Sequence, residues 1–527
     1  MCNFPPSLFS LRALPVIGTA LTCAALLAGP ALANDRDDCA KAAGEEAISA
    51  CSRMISAGNL GDFAVPAFFN RGMAYVQKPD VDAAMNDFNE AIRIEPKMPF
   101  AYTGRGFVYW MRGQPDLALA DWTEAIRLAP NFPASRLNAL PYMNRGALYS
   151  DRQEFDKAIA DLDEAIRLDP QNGQAFSNRG SVYGQLGQFE RSIADLDVAI
   201  KLTPNLAKAY SNRGFALGRL GQTDRAISDF DTAIRLDPND PQGWSKRGRM
   251  YGVKQQFDRA MSDLNKAVSL NPKSAEWLVD RAQVELGMNR HEQALADSDE
   301  AIGLDPKASD AYYIRGIARA NTGQVDLASA DLSECIRLAP TFSAAYVQRG
   351  NIANAKGNYD SAIADFNEAI RLSPKSTAAF LSRGVAFERQ RRFDKALADY
   401  VEATHLDPKS AIAYYDAGNA YRETRQLDQA FASYSEAIRL DPANPQPYVD
   451  RGIIRYLKGQ FDEAIADYNE ALRLRPQHAE SYFNRGSAYR YKGQNEQAIA
   501  DYKKALEINP NLEIVKQRLR ELGVEQL

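Results

Sequence analysis

The chain of 527 residues is 45% apolar and 25% charged, the proportions of a folded soluble protein, which exclude a collagen-like, disordered or disulfide-scaffold chain. Lysine and arginine (63) nearly balance aspartate and glutamate (68), giving a net charge of −5 with no basic block. Nothing here releases counterions from a phosphate backbone, so no nucleic-acid partner is expected.

At the N-terminus, Arg12 is the one charge in the first 33 residues; an apolar run from Ala13 to Ala28 follows, then Ala31-Leu32-Ala33 ahead of Asn34-Asp35-Arg36-Asp37-Asp38. This pattern predicts a signal peptide over residues 1–33, cleaved after Ala33, and an exported, periplasmic or secreted protein. Pro15, Gly18, Gly29 and Pro30 interrupt the run, which falls short of the roughly 20 residues a bilayer span needs. No later stretch reaches that length, so no integral membrane span is expected.

Beyond the signal, Cys39, Cys51 and Cys335 remain. An oxidising compartment favours a disulfide between Cys39 and Cys51. On one straight helix they would lie about 18 Å apart, so the bridge requires a turn, which Gly44 offers; two buried thiols are the alternative. Residues 34–64 carry Ala47, Ile48, Cys51 and Met54 at second-helix spacing and are expected to form an N-terminal capping half-repeat.

From Pro96 to Pro510 prolines recur every 34 residues, with a single step of 40 between Pro130 and Pro170. Such a period marks a solenoid of units that bury their apolar faces only by stacking. In the unit 207–240, Tyr210, Gly214, Leu217, Ala226, Phe230, Ala233 and Pro238 fall at the spacings of two short helices parted at Gly221-Gln222. Glycine and alanine let the two backbones approach.

The pattern resembles the tetratricopeptide repeat family, and thirteen units match it. The resemblance implies an all-α, right-handed superhelical solenoid of about 13 helix pairs: repeats one and two over 65–132, an insertion at 133–138 forming a bulged loop, repeats three to thirteen over 139–512, and a capping helix over 513–527. An acid opens the second helix of every unit, Asp82, Asp116 and Asp224 among them. In so uniform a context these carboxylates are structural rather than a catalytic pair. Neither a phosphate loop, a nucleophile elbow nor a metal motif is present: His291, His405 and His478 stand apart from any cysteine or carboxylate at ligand spacing. No metal, cofactor or enzymatic activity is expected. Cys335, without a base or cation at helical spacing, reads as a buried apolar residue.

Two features lie outside the family pattern. Arginine occupies position 7 and aspartate position 23 in twelve of the thirteen units, and the exceptions, Ala417 and Ser433, fall in the same repeat. Joint loss predicts an Arg–Asp pair inside each unit, against the alternative of a solvated charged face. Repeat seven carries Ala282, Glu285 and Ser298 at normally packed positions and is expected to open first.

Function is expected on the free face of the first helices, at positions 2, 5, 6, 9, 12 and 13. Asn144, Asn178, Asn212 and Lys246 share position 6, with Ser177, Ser211 and Ser245 beside them and Gly184, Gly218 and Gly252 leaving space. An asparagine both donates and accepts, so a row of them suits a peptide backbone; it is similar to the ladder of the family's sugar-transferase members. Lys208 and Asn212 are similar to half of the carboxylate clamp of other members, with Arg219 and Arg249 adding charge, while Glu276 and Asp280 break the likeness at repeat seven. The expected function is a non-enzymatic scaffold binding an extended, acidic peptide or partner protein over repeats three to six. The alternative is a structural spacer in an envelope assembly such as polysaccharide export or outer-membrane biogenesis.

Overall fold

A position-by-position logic builds each repeat. In repeat five, positions 1–13 form the helix Ala207–Arg219 and positions 17–30 the helix Thr223–Leu236. Position 15 between them is left-handed: Gly221 has φ of 74°, and glycine holds the same turn in six other repeats. Five repeats place Gln153, Gln255, Asn289, Arg391 or Arg425 there at φ near 60°, a conformation that costs a residue with a Cβ about 1 kcal/mol.

The computed structural model describes residues 30–58, 60–78, 80–131 and 136–524, which hold 29 α-helices and no strand. The expected signal peptide lies almost entirely outside them. Two compact units divide the chain, Met1–Asn271 and Pro272–Leu527. The first holds an N-terminal hairpin and repeats one to six. The second holds repeats seven to thirteen and the helix Glu513–Glu521, which buries Val515 and Leu519.

Position 24 supplies the centre of each repeat: Phe88, Trp122, Leu162, Leu196, Phe230 and Leu264 in the first unit, Leu332, Phe366, Tyr400, Tyr434, Tyr468 and Tyr502 in the second, all buried. Position 8 is glycine because the ring or isobutyl group lies against its backbone; a Cβ on Gly384 would stand 2.5 Å from the Tyr400 ring.

Repeat seven differs from the others at its centre. Its position 24 is Ser298, and the space left by the missing ring admits the methyl of Ala282; both residues are fully buried. The polar atoms are less well served: Ser298 Oγ is buried without a hydrogen-bond partner, and so is Oε2 of Glu285, 5% exposed. Burial, reinforced by the charge of Asp297, pushes the Glu285 carboxyl up to about 7.

All twelve Arg–Asp pairs form, and none is a solvated face. Arg213 donates from Nε and Nη2 to Asp229 at 2.8 and 2.7 Å, and its Nη1 reaches Asp197 of the preceding repeat at 2.6 Å. The aspartates are 4–13% exposed. One guanidinium thus fastens two helices of its own repeat and one of its neighbour, the bidentate geometry arginine is suited to.

The acids at position 18 sit in the first turn of the second helix, where the helix dipole favours them, and they reach further than a cap. Asp116 accepts from Arg152 at 2.6 Å and Asp224 from Lys254 at 2.5 Å; Asp82, Asp326, Asp428 and Asp462 take Arg112, Lys356, Lys458 and Lys492 in the same way. Each ties a second helix to position 14 of the next repeat.

The N-terminal cap is a full hairpin rather than half a unit. Helices Pro30–Lys41 and Gly44–Ala57 pack together, turned by Gly44 at φ of 59°. That turn brings Cys39 and Cys51 to a Cα separation of 4.8 Å, and their sulfurs are bonded. Cys335 is a buried free thiol, and burial pushes it up to about 12. The last three residues of the insertion form a short 3-10 turn, Arg136–Asn138, leading into the helix Ala139–Asp151 of repeat three, while the rest of the expected bulged loop lies outside the described residues.

Candidate functional site

In the first helices, positions 4, 7, 8 and 11 face the second helices and the neighbouring repeats, which leaves position 6 half-buried on the free face: Asn144, Asn178, Asn212 and Lys246 all show this exposure. Position 5 does not join it. Ser177, Ser211 and Ser245 are at most 5% exposed, so the expected row of groove serines lies beneath the surface. Of the glycines, Gly218 differs from the expectation. A Cβ there would sit 3.0 Å from Met250 Sδ; a methionine from the next repeat takes that space, whereas a Cβ on Gly184 would meet only Ser192 Oγ at 3.4 Å.

The asparagine row carries unused hydrogen-bonding capacity. Asn178 Oδ1 accepts from Gln174 Nε2 at 2.8 Å, whereas its Nδ2 is buried without a partner, as is Ser211 Oγ one repeat on. Leaving such an atom unsatisfied costs about 1–3 kcal/mol, a cost that the half-buried Asn178 side chain would shed by turning its amide outward to a ligand main chain.

Lys208 is a correction to the half-clamp reading. Burial lowers its affinity for a proton, and Asp240, Asp151 and Asp237 restore part of it; reciprocally, burial raises the Asp151 carboxyl and the Lys208 charge lowers it. The ammonium is answered by the chain's own acids, and a clamp would have to compete with them. Asp151 belongs to repeat three, so this neighbour follows from the stacking of alternate repeats and is invisible within one 34-residue unit.

Further positive charge lies over aromatic rings that composition alone did not single out. Phe189 and Phe215 meet edge to face at 6.3 Å. Arg219 lies over Phe189 at 5.3 Å and Lys246 over Phe215 at 5.7 Å, with Arg249 exposed on the same helix face. Phe215 itself is 37% exposed. A phenylalanine at position 9, off every packed position, was the signal that could have found it. Cations over ring faces keep their charge outward at small cost, so repeats four to six present an amphipathic, positively charged strip.

On the first helices of the second unit, positions 2, 6 and 12 carry several acids: Glu276, Asp280, Asp310, Glu388, Asp416, Asp450 and Glu480. Asp450 is buried and satisfied, accepting from Arg422 at 2.5 Å and from Tyr415 at 3.0 Å. Asp416, half-buried, is pushed up to about 7 by burial and by the charge of Glu388. Among the described residues no cluster fit to hold a metal and no helix long and apolar enough to cross a membrane is present.

Profiles for tetratricopeptide repeats match residues 65–98, 146–187, 183–221, 207–240 and 241–274, and one for the C-terminal domain of cilia and flagella-associated protein 70 matches residues 307–526. No curated protein matches the chain. Among solved structures, YrrB, described as a repeat protein of this kind with an unusual peptide-binding site, is similar at 19% identity over 36% of this chain and 97% of its own, TM-score 0.33. The Cut9–Hcn1 hetero-tetramer of APC/C is similar at 15% identity over 84% of this chain and 92% of its own, TM-score 0.47. MamA is similar at 27% identity over 31% of this chain and 94% of its own, TM-score 0.30.

Proposed function

We propose that this array of tetratricopeptide repeats is a non-enzymatic protein-interaction scaffold whose first-helix face in repeats three to six holds an extended, acidic peptide. The observation that carries the reading is the pairing, on one face, of buried amide capacity with outward charge. Asn178 Nδ2 lacks a partner, while Lys246, Arg219 and the exposed Arg249 stand around Phe189 and Phe215. Main-chain groups of an extended ligand satisfy the asparagine row without regard to sequence, and acidic side chains meet the cations. The aromatic pair supplies apolar contact of the kind that concentrates binding energy.

Export to an oxidising compartment belongs to the same proposal. The Cys39–Cys51 bond supports it, because structural disulfides persist where thiols are not kept reduced.

The test uses a fluorescein-labelled peptide of alternating glutamate and serine, titrated against the full chain at low and at physiological salt. Binding at low salt that weakens as salt rises is expected, as is its abolition when Asn178, Asn212 and Lys246 are changed together to alanine, with helical content and melting unchanged. Unaltered binding by the triple variant moves the surface elsewhere.

A further inference from the structure

The same face begins, two repeats earlier, with a different chemistry. Phe69, Met73 and Val76 of repeat one, Phe100 and Phe107 of repeat two, and Leu137 and Leu140 around the insertion line a hollow of about 30 Å³. Its polar members are few. Thr103 is satisfied, donating to the Pro99 carbonyl at 3.0 Å, and Asn144, the first member of the asparagine row, stands at the rim. A space on the order of two water molecules is too small for a whole small-molecule ligand and fits the end of one apolar side chain. The six extra residues acquire a use: the turn Arg136–Asn138 delivers Leu137 to the wall, a position that the uniform 34-residue repeat does not supply.

We infer that this hollow is the anchor pocket for a single large apolar side chain, phenylalanine or leucine, of the same peptide whose acidic part lies over repeats five and six. The inference rests on the proposed peptide reading and deepens it by naming the ligand's pattern. Continuity argues for one occupant: Asn144 both borders the hollow and opens the row Asn144, Asn178, Asn212 that leads to Lys246 and Arg249. The charge is complementary at the far end only, so the ligand is apolar at one end and acidic at the other. Three repeats from the hollow to the cations, at about 9 Å per helix spacing and about 3.3 Å per extended residue, set the anchor roughly eight residues from the acids.

The probes are two synthetic peptides, each ending in three glutamates after an eight-residue glycine–serine spacer, one headed by phenylalanine and the other by alanine. Their binding to the full chain is followed by fluorescence anisotropy. The phenylalanine head is expected to tighten binding roughly threefold to tenfold, the value of burying one or two carbons at the end of its ring. In Leu137→Glu, on the half-exposed insertion, the two peptides should bind alike. Met73→Trp, which fills the hollow instead of charging it, should give the same result and covers a failure of the first variant to fold.

Equal binding of both peptides to the wild type overturns the anchor pocket while leaving the acidic-peptide reading intact. Failure of both peptides to bind sinks that reading and the anchor with it. If light scattering shows a dimer that Leu137→Glu dissociates, and the head adds nothing, the hollow is filled by a second copy and the inference fails.

Discussion

Repeats seven and eleven break the common pattern in different places, and in both the break falls on two positions that touch in the conforming repeats. In repeat seven the ring at position 24 and the glycine at position 8 have changed together to Ser298 and Ala282, a smaller group admitting a larger one. In repeat eleven the arginine and aspartate have gone together, leaving Ala417 and Ser433, and a separate network of Arg422, Tyr415 and Asp450 supplies the charge pairing. The lesson is that partners in a contact are lost together, while a polar atom left behind in the core has no one to answer it. Ser298 Oγ and Glu285 Oε2 are such atoms, and they make repeat seven vulnerable.

The largest effect expected from this contrast is at a conforming repeat. Asp229→Ala strands Arg213 in a part-buried site and should cost about 3–5 kcal/mol, whereas Ser433→Ala in repeat eleven should be close to neutral; urea unfolding of the two variants measures the gap. Comparable values would mean that the pairs do not act as units.

Next comes the pH dependence of repeat seven. The Glu285 carboxyl is raised in the folded state, to about 7 from an ordinary 4.5. Between those values the unfolded chain ionises while the folded one keeps its proton, so stability falls as pH rises through the window and levels off above it, by on the order of 2–3 kcal/mol. Glu285→Gln lacks this loss. It should match the wild type near pH 4 and exceed it at pH 8 in thermal melting, with hydrogen exchange of residues 275–304 slowed at the higher pH.

Smaller is the glycine contrast. Gly384→Ala should destabilise by about 1–3 kcal/mol through overpacking against Tyr400, despite alanine's better helix propensity. The change in the other direction, Ala282→Gly in repeat seven, should cost only the backbone term of about 1 kcal/mol. Ser298→Phe should be destabilising alone and largely rescued by Ala282→Gly, a coupling that a double-mutant cycle reads directly. Smallest is Arg425→Gly in the turn of repeat eleven, which relieves a left-handed φ of 60° and should stabilise by about 1 kcal/mol or less.

Whatever repeats was legible in the amino-acid order. Thirteen copies of the same spacing define the helix pairs, and joint exceptions exposed the Arg213–Asp229 type of pair before any coordinate. The same reasoning, applied to Ala282 and Ser298, would have read them as partners rather than as two defects. What could not be read depends on contacts between units: Lys208 meeting Asp151 two repeats away, Met250 closing over Gly218, serines at position 5 turned under the surface, and Leu137 carried to an apolar wall by an insertion that matches no template. Periodicity gives the faces of a helix, but the rotation of one pair against the next decides which face is open.

The arginine at position 7 has one further consequence, in the history of the chain rather than its stability. Because at least ten of the twelve guanidiniums hold their own repeat and also grip position 25 of the one before, as Arg213 grips Asp197, most 34-residue segments carry both halves of the junction. A duplicated or deleted segment therefore meets its new neighbours with the same lock and the same key, and an array of this kind can lengthen or shorten by recombination without inventing a single new contact.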